Sequence, residues 1–285
     1  VTVHHIVAPK GGPQERDMTV LSKGNTMKTT LLRSLLLCSA FFAASPIFAQ
    51  SAPLGLNFAE VELTYGTLAN TGGPIGRVAG DFRITDAHGL QLDLSAMSYP
   101  GGSLGQIDAH LYMQPSDSIK YGLFLALGDV DGREATIGST GVEVMAALSD
   151  ATVIEAKAEI GIATSRLGGT RRNMDFIAAS LGASHAFNDT TTAYIEASAT
   201  EFDESFLRAV GYGLRVGVHY DIPNQPIRIS AAVGYDKMSG RNGRPGEIVA
   251  QIGVTWRFGA GGNTVASRSF GRSKPLDQLF RRGMF

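Results

Sequence analysis

The residues of this chain that could do chemistry are ionised side chains set at alternate positions within short apolar stretches. The acids are Glu60, Glu62, Asp81, Asp93, Asp108, Glu143, Glu155, Glu159 and Glu196, and the bases are Arg77, Arg83, Lys120, Lys157, Arg215, Arg228 and Arg257. Side chains two apart share one face of an extended backbone. Facing one another around an enclosed space, such sets would orient and select ions or small polar solutes rather than make and break bonds. Two histidines carry a competing, catalytic reading: His110 and His219, the latter with Asp221 two residues on. Spacing alone assigns them no serine–histidine–acid geometry. Asp129–Glu134 offers carboxylates to a divalent cation, but it falls far short of an EF-hand loop, and Asp131-Gly132 is first of all a turn. No metal or cofactor is expected, and the chain is not expected to be an enzyme.

The elements that must hold these charges are strands. Glu247–Phe258 shows the pattern most fully: Ile248, Ala250, Ile252, Val254, Trp256 and Phe258 alternate with Glu247, Val249, Gln251, Gly253, Thr255 and Arg257. The same period recurs upstream, with Leu90, Leu92 and Leu94 against Gln91, Asp93 and Ser95, and Ile154, Ala156, Ala158 and Ile160 against Glu155, Lys157 and Glu159. It spans twelve segments between Phe58 and Phe258, punctuated by turn residues. The connectors alternate between short turns, such as Asp86–Gly89 and Ser149–Thr152, and longer loops: Ala69–Ile75, Ser98–Leu104, Asp129–Glu134, Ser165–Asn173, Phe202–Leu207 and Lys237–Gly246. An even number of up-and-down strands puts both termini on one side, and the shorter turns mark that side as periplasmic.

The N-terminal region reads as an export signal. In Met27–Ala49, Lys28 and Arg33 precede the apolar run Leu35–Ala44, and Ser45-Pro46 breaks it before the small Ala49. Residues 1–26 precede a good starting methionine and read as an over-extended, unstructured start. Cys38 is the chain's one cysteine and lies in this leader, so the body from residue 50 has no thiol for a disulfide, for catalysis or for zinc. The body, residues 50–258, is acidic, which excludes a nucleic-acid surface. Residues 259–285 carry Arg268, Arg272, Lys274, Arg281 and Arg282 and read as a basic, flexible C-terminal tail able to touch peptidoglycan.

Alternation alone does not say which face is buried. The polar set here mixes charges with Gly122, Gly161, Gly182, Gly211, Gly213, Gly217, Gly234 and Gly253, and glycine weakens a strand unless backbone or solvent must come close. Trp256 and Phe258 end an apolar face, where rings suit a membrane interface. The expected fold is therefore an all-β, transmembrane, up-and-down antiparallel barrel of about twelve strands with the charges inside. Barrels of about eight strands are filled and those of about sixteen to eighteen leave a channel; the small inward residues favour a narrow channel over an ion-paired plug.

The leader, the twelve alternating segments and the closing strand resemble the outer-membrane porin-like barrels of Gram-negative bacteria, over about Leu56–Phe258. The resemblance implies passive diffusion of small hydrophilic solutes across the outer membrane. It implies lipid and lipopolysaccharide as surroundings, with Arg171-Arg172, Arg241 and Arg244 available to phosphates. It also implies delivery by the barrel assembly machinery. The strand ending in Phe258 resembles the recognition strand of that family, although here it does not end the chain. A structural or interaction barrel with a closed lumen is the alternative, and a lipid-modifying barrel enzyme the third.

Overall fold

Period-two alternation becomes strand at every one of the twelve segments. The computed structural model describes residues 55–284 apart from 69–70, 133, 168–169, 205–206 and 260–263. The leader, the stretch before it and Cys38 lie outside the described residues. The strands are Leu56–Leu68 (β1), Thr71–Arg83 (β2), His88–Tyr99 (β3), Gly102–Ser116 (β4), Ile119–Asp131 (β5) and Ala135–Ser149 (β6). They continue with Thr152–Leu167 (β7), Thr170–Ala186 (β8), Thr191–Asp203 (β9), Arg208–Asp221 (β10), Ile227–Ser239 (β11) and Arg244–Gly259 (β12). Each pairs antiparallel with the next, and β12 closes on β1 through a ladder from Phe58↔Gly259 to Leu68↔Val249. Closure leaves no free sheet edge, the condition for placing a sheet in hydrocarbon, where unpaired backbone groups cost several kcal/mol each (~).

The side chains face as the alternation requires. Ile252 is 61% exposed on the outer surface, Leu92 43% and Val216 49%, whereas Glu143, Asp93 and Lys120 are buried within. Leu123, Leu125, Leu127, Ile160, Ile177 and Leu181 extend the outer apolar belt. In β12 Phe258 is exposed and Trp256 half-buried, both on the outer set.

Two expectations are corrected. The connectors do not fall into short and long classes. Pairing runs on through the expected loops, so Gly72–Ile75 ladder with Thr67–Thr64, and β8 begins at Thr170 rather than at Met174. A ladder needs only backbone N–H and C=O, so it continues past the point where side-chain alternation stops. Connector length therefore does not tell one end of the barrel from the other.

The second correction concerns the C-terminal stretch, expected to be flexible. Residues 264–284 lie inside the barrel. They form a 3-10 turn at Val265–Ser267, a run without regular secondary structure over residues 268–274, a turn at 275–276 and a short helix at Asp277–Arg281 (α1). Val265 and Phe270 are buried with Tyr112, Met145 and Val153, near the end where β12 finishes. Leu276, Leu279 and Phe280 are buried with Met97, Tyr99, Leu104, Phe176, Phe202 and Met238, near the opposite end. The segment thus threads the lumen from one end to the other. Its five buried apolar side chains, each worth about 1.5–3 kcal/mol, act together with the hydrogen bonds and ion pairs described below to offset the entropy of ordering it.

Candidate functional site in the lumen

Much of the inner wall across β1–β6 and β12 pairs with itself. Arg77 is its hub: its guanidinium donates to Asp93 Oδ2 at 2.9 Å and lies 3.5 Å from Glu60 Oε2 and 3.9 Å from Glu62 Oε2. Closure of the barrel sets Arg257 Nε 3.0 Å from Glu60 Oε1 across the β1–β12 seam. His110 bridges Glu143, 2.7 Å from Nδ1, and Asp93, 3.4 Å from Nε2. Its ring stacks on Phe124 and Phe270. Lys120 and Asp81 are both wholly buried, 3.6 Å apart, and the Lys120 ammonium sits over the Tyr112 ring at 4.2 Å. Tyr112 Oη donates to Asp81 at 2.7 Å. Charges this far from bulk water persist because each is paired and hydrogen-bonded; removing one partner is far costlier than the pair is worth.

Residues 264–284 serve further wall groups, on β4, β7, β9, β11 and β12. Lys274 Nζ holds both oxygens of Glu196 at 2.8 Å, and Arg268 lies 3.7 Å from Glu155. The Ser273 backbone N–H donates to Asp108 at 3.2 Å, and its hydroxyl donates to Glu159 at 2.6 Å. At the far end Arg282 donates to the Asp236 and Pro245 carbonyls and lies 3.3 Å from Glu247.

Wall donors in turn take the segment's backbone carbonyls in sequence. Asn57 donates to Ala266 O at 3.2 Å, Arg257 to Ser267 O at 2.9 Å and Lys120 to Arg268 O at 2.8 Å. Arg77 and Gln91 share Phe270 O at 2.8 and 2.9 Å, Lys157 donates to Gly271 O at 2.6 Å, and Gln106 to Ser273 O at 2.8 Å. Gln91 also accepts from the Phe270 N–H at 2.8 Å, so one side-chain amide holds both backbone polar groups of a single residue.

Of the residues expected on the inner face, Glu60, Arg77, Asp81, Asp93, Asp108, Lys120, Glu143 and Glu159 are buried in the lumen. Glu62, Glu155, Lys157, Glu196, Arg215, Arg228 and Arg257 are half-buried there, and Arg83 is exposed at the end of β2. Arg228 pairs with Asp221 at 2.7 Å, which takes that carboxylate away from His219; His219 instead stacks on Tyr194. Several inward glycines face close neighbours rather than open space, whereas Gly182 borders a cavity. A Cβ at Gly161 would run into the Phe176 ring, and one at Gly211 would lie 3.3 Å from Gln278 of the segment. A cavity of about 110 Å³ lies between the segment and β6–β11, bounded by Glu155, Glu196, Arg215, Asp236, Arg272 and Lys274. Among the described residues, no three His, Cys, Asp or Glu side chains gather as metal ligands.

Gln91 and Gln106 are the recognition residues that the sequence reading passed over. A signal was present: each stands two residues before an inward aspartate, as Gln91-Leu92-Asp93 and Gln106-Ile107-Asp108, and each donates to that aspartate at about 3 Å.

No protein-family model matches the chain, and no curated protein matches it. Among solved structures it is similar to an outer-membrane channel from Pseudomonas putida F1, with 13% identity and a TM-score of 0.55 over 75% of this chain and 99% of that one. It is also similar to the NanC porin, with 11% identity and a TM-score of 0.51 over 70% of this chain and 98% of that one. At such identities the likeness is one of fold. In fold, the chain resembles the outer-membrane porin-like β-barrels, as a closed ring of twelve antiparallel strands.

Proposed function

We propose that the protein is a channel of the Gram-negative outer membrane for passive diffusion of small hydrophilic solutes or ions, with residues 264–284 filling its bore in the state described. One observation carries this reading: an apolar outer belt encloses a wall of ionised side chains. A barrel with only a scaffolding role has no need of so many buried charges, which cost free energy to enclose. The porin-like fold supports the same reading. Insertion by the barrel assembly machinery, periplasmic placement of the first residue of β1 and the last of β12, and lipopolysaccharide around Arg171, Arg172, Arg241 and Arg244 belong to the proposal.

A second reading, a closed structural or interaction barrel, is favoured by the apolar stopper of Leu276, Leu279 and Phe280. Planar-bilayer recording separates the two. The unsubstituted chain should give rare, small openings, and Leu279→Ser/Phe280→Ser should give sustained larger ones. Glu60→Gln/Glu62→Gln should then change the ion preference of the current. A folded barrel that stays silent with and without the stopper would leave the closed reading standing.

A further inference from the structure

We propose that the lumen is a binding track for an extended basic peptide, and that the protein's own C-terminal segment is its resident occupant. The proposal deepens the channel reading and rests on it, because a peptide supplied from outside can bind only in a bore that can be vacated.

The first observation is main-chain recognition. Between Ala266 and Ser273, six backbone carbonyls accept hydrogen bonds from wall side chains: Asn57, Arg257, Lys120, Arg77 with Gln91, Lys157 and Gln106. Contacts of this kind read the backbone, not the residue, so any extended peptide presents the same groups. The second observation is the pairing of the carboxylates. Glu155 and Glu196 form ion pairs only with Arg268 and Lys274 of the segment among the described residues, while Asp108 and Glu159 hydrogen-bond Ser273. The wall cations nearest to them are committed elsewhere, Lys157 to Glu143 and Arg215 to Asp236. Once vacated, this side of the lumen presents unpaired carboxylates beside a row of carbonyl-seeking donors. A chain with basic side chains six residues apart, as Arg268 and Lys274 are, satisfies both; Arg272 pairs within the segment, with Asp277.

The occupant is held at its ends by apolar contacts and in the middle by this track. Weakening one end exposes the track without touching it. Ser139 Oγ and Ser273 Oγ lie 3.4 Å apart, close enough for a cysteine pair at those positions to lock the segment in place.

The test uses the full chain in detergent, with barrel folding checked by heat-modifiable gel migration. The probe is a fluorescent heptapeptide of the sequence of residues 268–274, Arg-Ser-Phe-Gly-Arg-Ser-Lys. Leu276→Ser/Phe280→Ser should bind it at least tenfold more tightly than the unsubstituted chain, and more weakly as salt rises. Adding Ser139→Cys/Ser273→Cys should abolish that binding when oxidised and restore it when reduced. A peptide with glutamate in place of its basic residues should not bind, and spermine should compete poorly because it has no carbonyls. Equal binding by the locked and released chains overturns the proposal. Spermine competing as well as the peptide reduces the lumen to a cation sink, which also overturns it. Should the serine variant not fold, the cysteine pair in the otherwise unsubstituted chain decides: the reduced form must bind the peptide at least tenfold more tightly than the oxidised form, and equal binding refutes the track. Peptide binding without current in any form sinks the channel and keeps the track; current without peptide binding does the reverse.

Discussion

Replacing Phe280 by alanine tests how firmly the C-terminal segment is seated. Phe280 is 1% exposed, its ring centroid lies 5.4 Å from that of Tyr99, and it belongs to the cluster that closes one end of the lumen. Truncating a buried phenylalanine to alanine costs about 3–5 kcal/mol. The strand ladder does not run through α1, so most of this cost falls on docking of the segment and little on the barrel. At about 1.4 kcal/mol per decade, the undocked population should rise roughly a hundredfold or more. Trypsin reads that population. It cuts after Arg268 and Arg272 but not after Lys274, which Pro275 follows. When opening is fast relative to cleavage, the rate follows the open fraction. Release of the C-terminal peptides, followed by mass spectrometry on the folded barrel, should therefore speed up roughly a hundredfold in Phe280→Ala. A rate within a factor of about two of the unsubstituted chain would refute the reasoning, as would strands cut as fast as the segment.

Three further outcomes follow from the same geometry. Arg77→Ala leaves Asp93 and Glu60 without their shared guanidinium and should destabilise the barrel by about 3–5 kcal/mol, read as a lower temperature of heat-modifiable migration. Lys274→Ala removes a pair that is partly open to solvent, so by itself it should change stability by less than about 1 kcal/mol in the same assay. Leu123→Arg puts a charge on the outer belt of β5, where Leu123 is exposed, and should cost about 2–4 kcal/mol of folding free energy in lipid vesicles while leaving folding in detergent nearly unchanged.

The filled lumen also changes how the charges work together. In an open bore, Glu60, Arg77 and Asp93 would meet water and be screened by salt. Beneath Phe270 they form a hydrogen-bonded set that also holds the segment's backbone. The same residues thus anchor the segment and, under the proposed function, would form the surface that a solute meets once it leaves.

Strand number, closure and facing were legible in the sequence, because they depend on a local period: Leu92 lies outside and Asp93 inside since neighbouring side chains of a strand point opposite ways. Closure sets the last strand beside the first, and the structure shows which charges meet there: Arg257 and Glu60. The fate of residues 264–284 was not. By composition they read as a basic tail, and only the folded wall brings Gln91, Lys120 and Glu159 to their backbone and side chains from more than a hundred positions away. Nor could inward glycines be read as receptors for the Phe176 ring rather than as room for water. Alternation decides which way each side chain looks; what fills the space they look into depends on volumes and partners that exist only after the ring has closed.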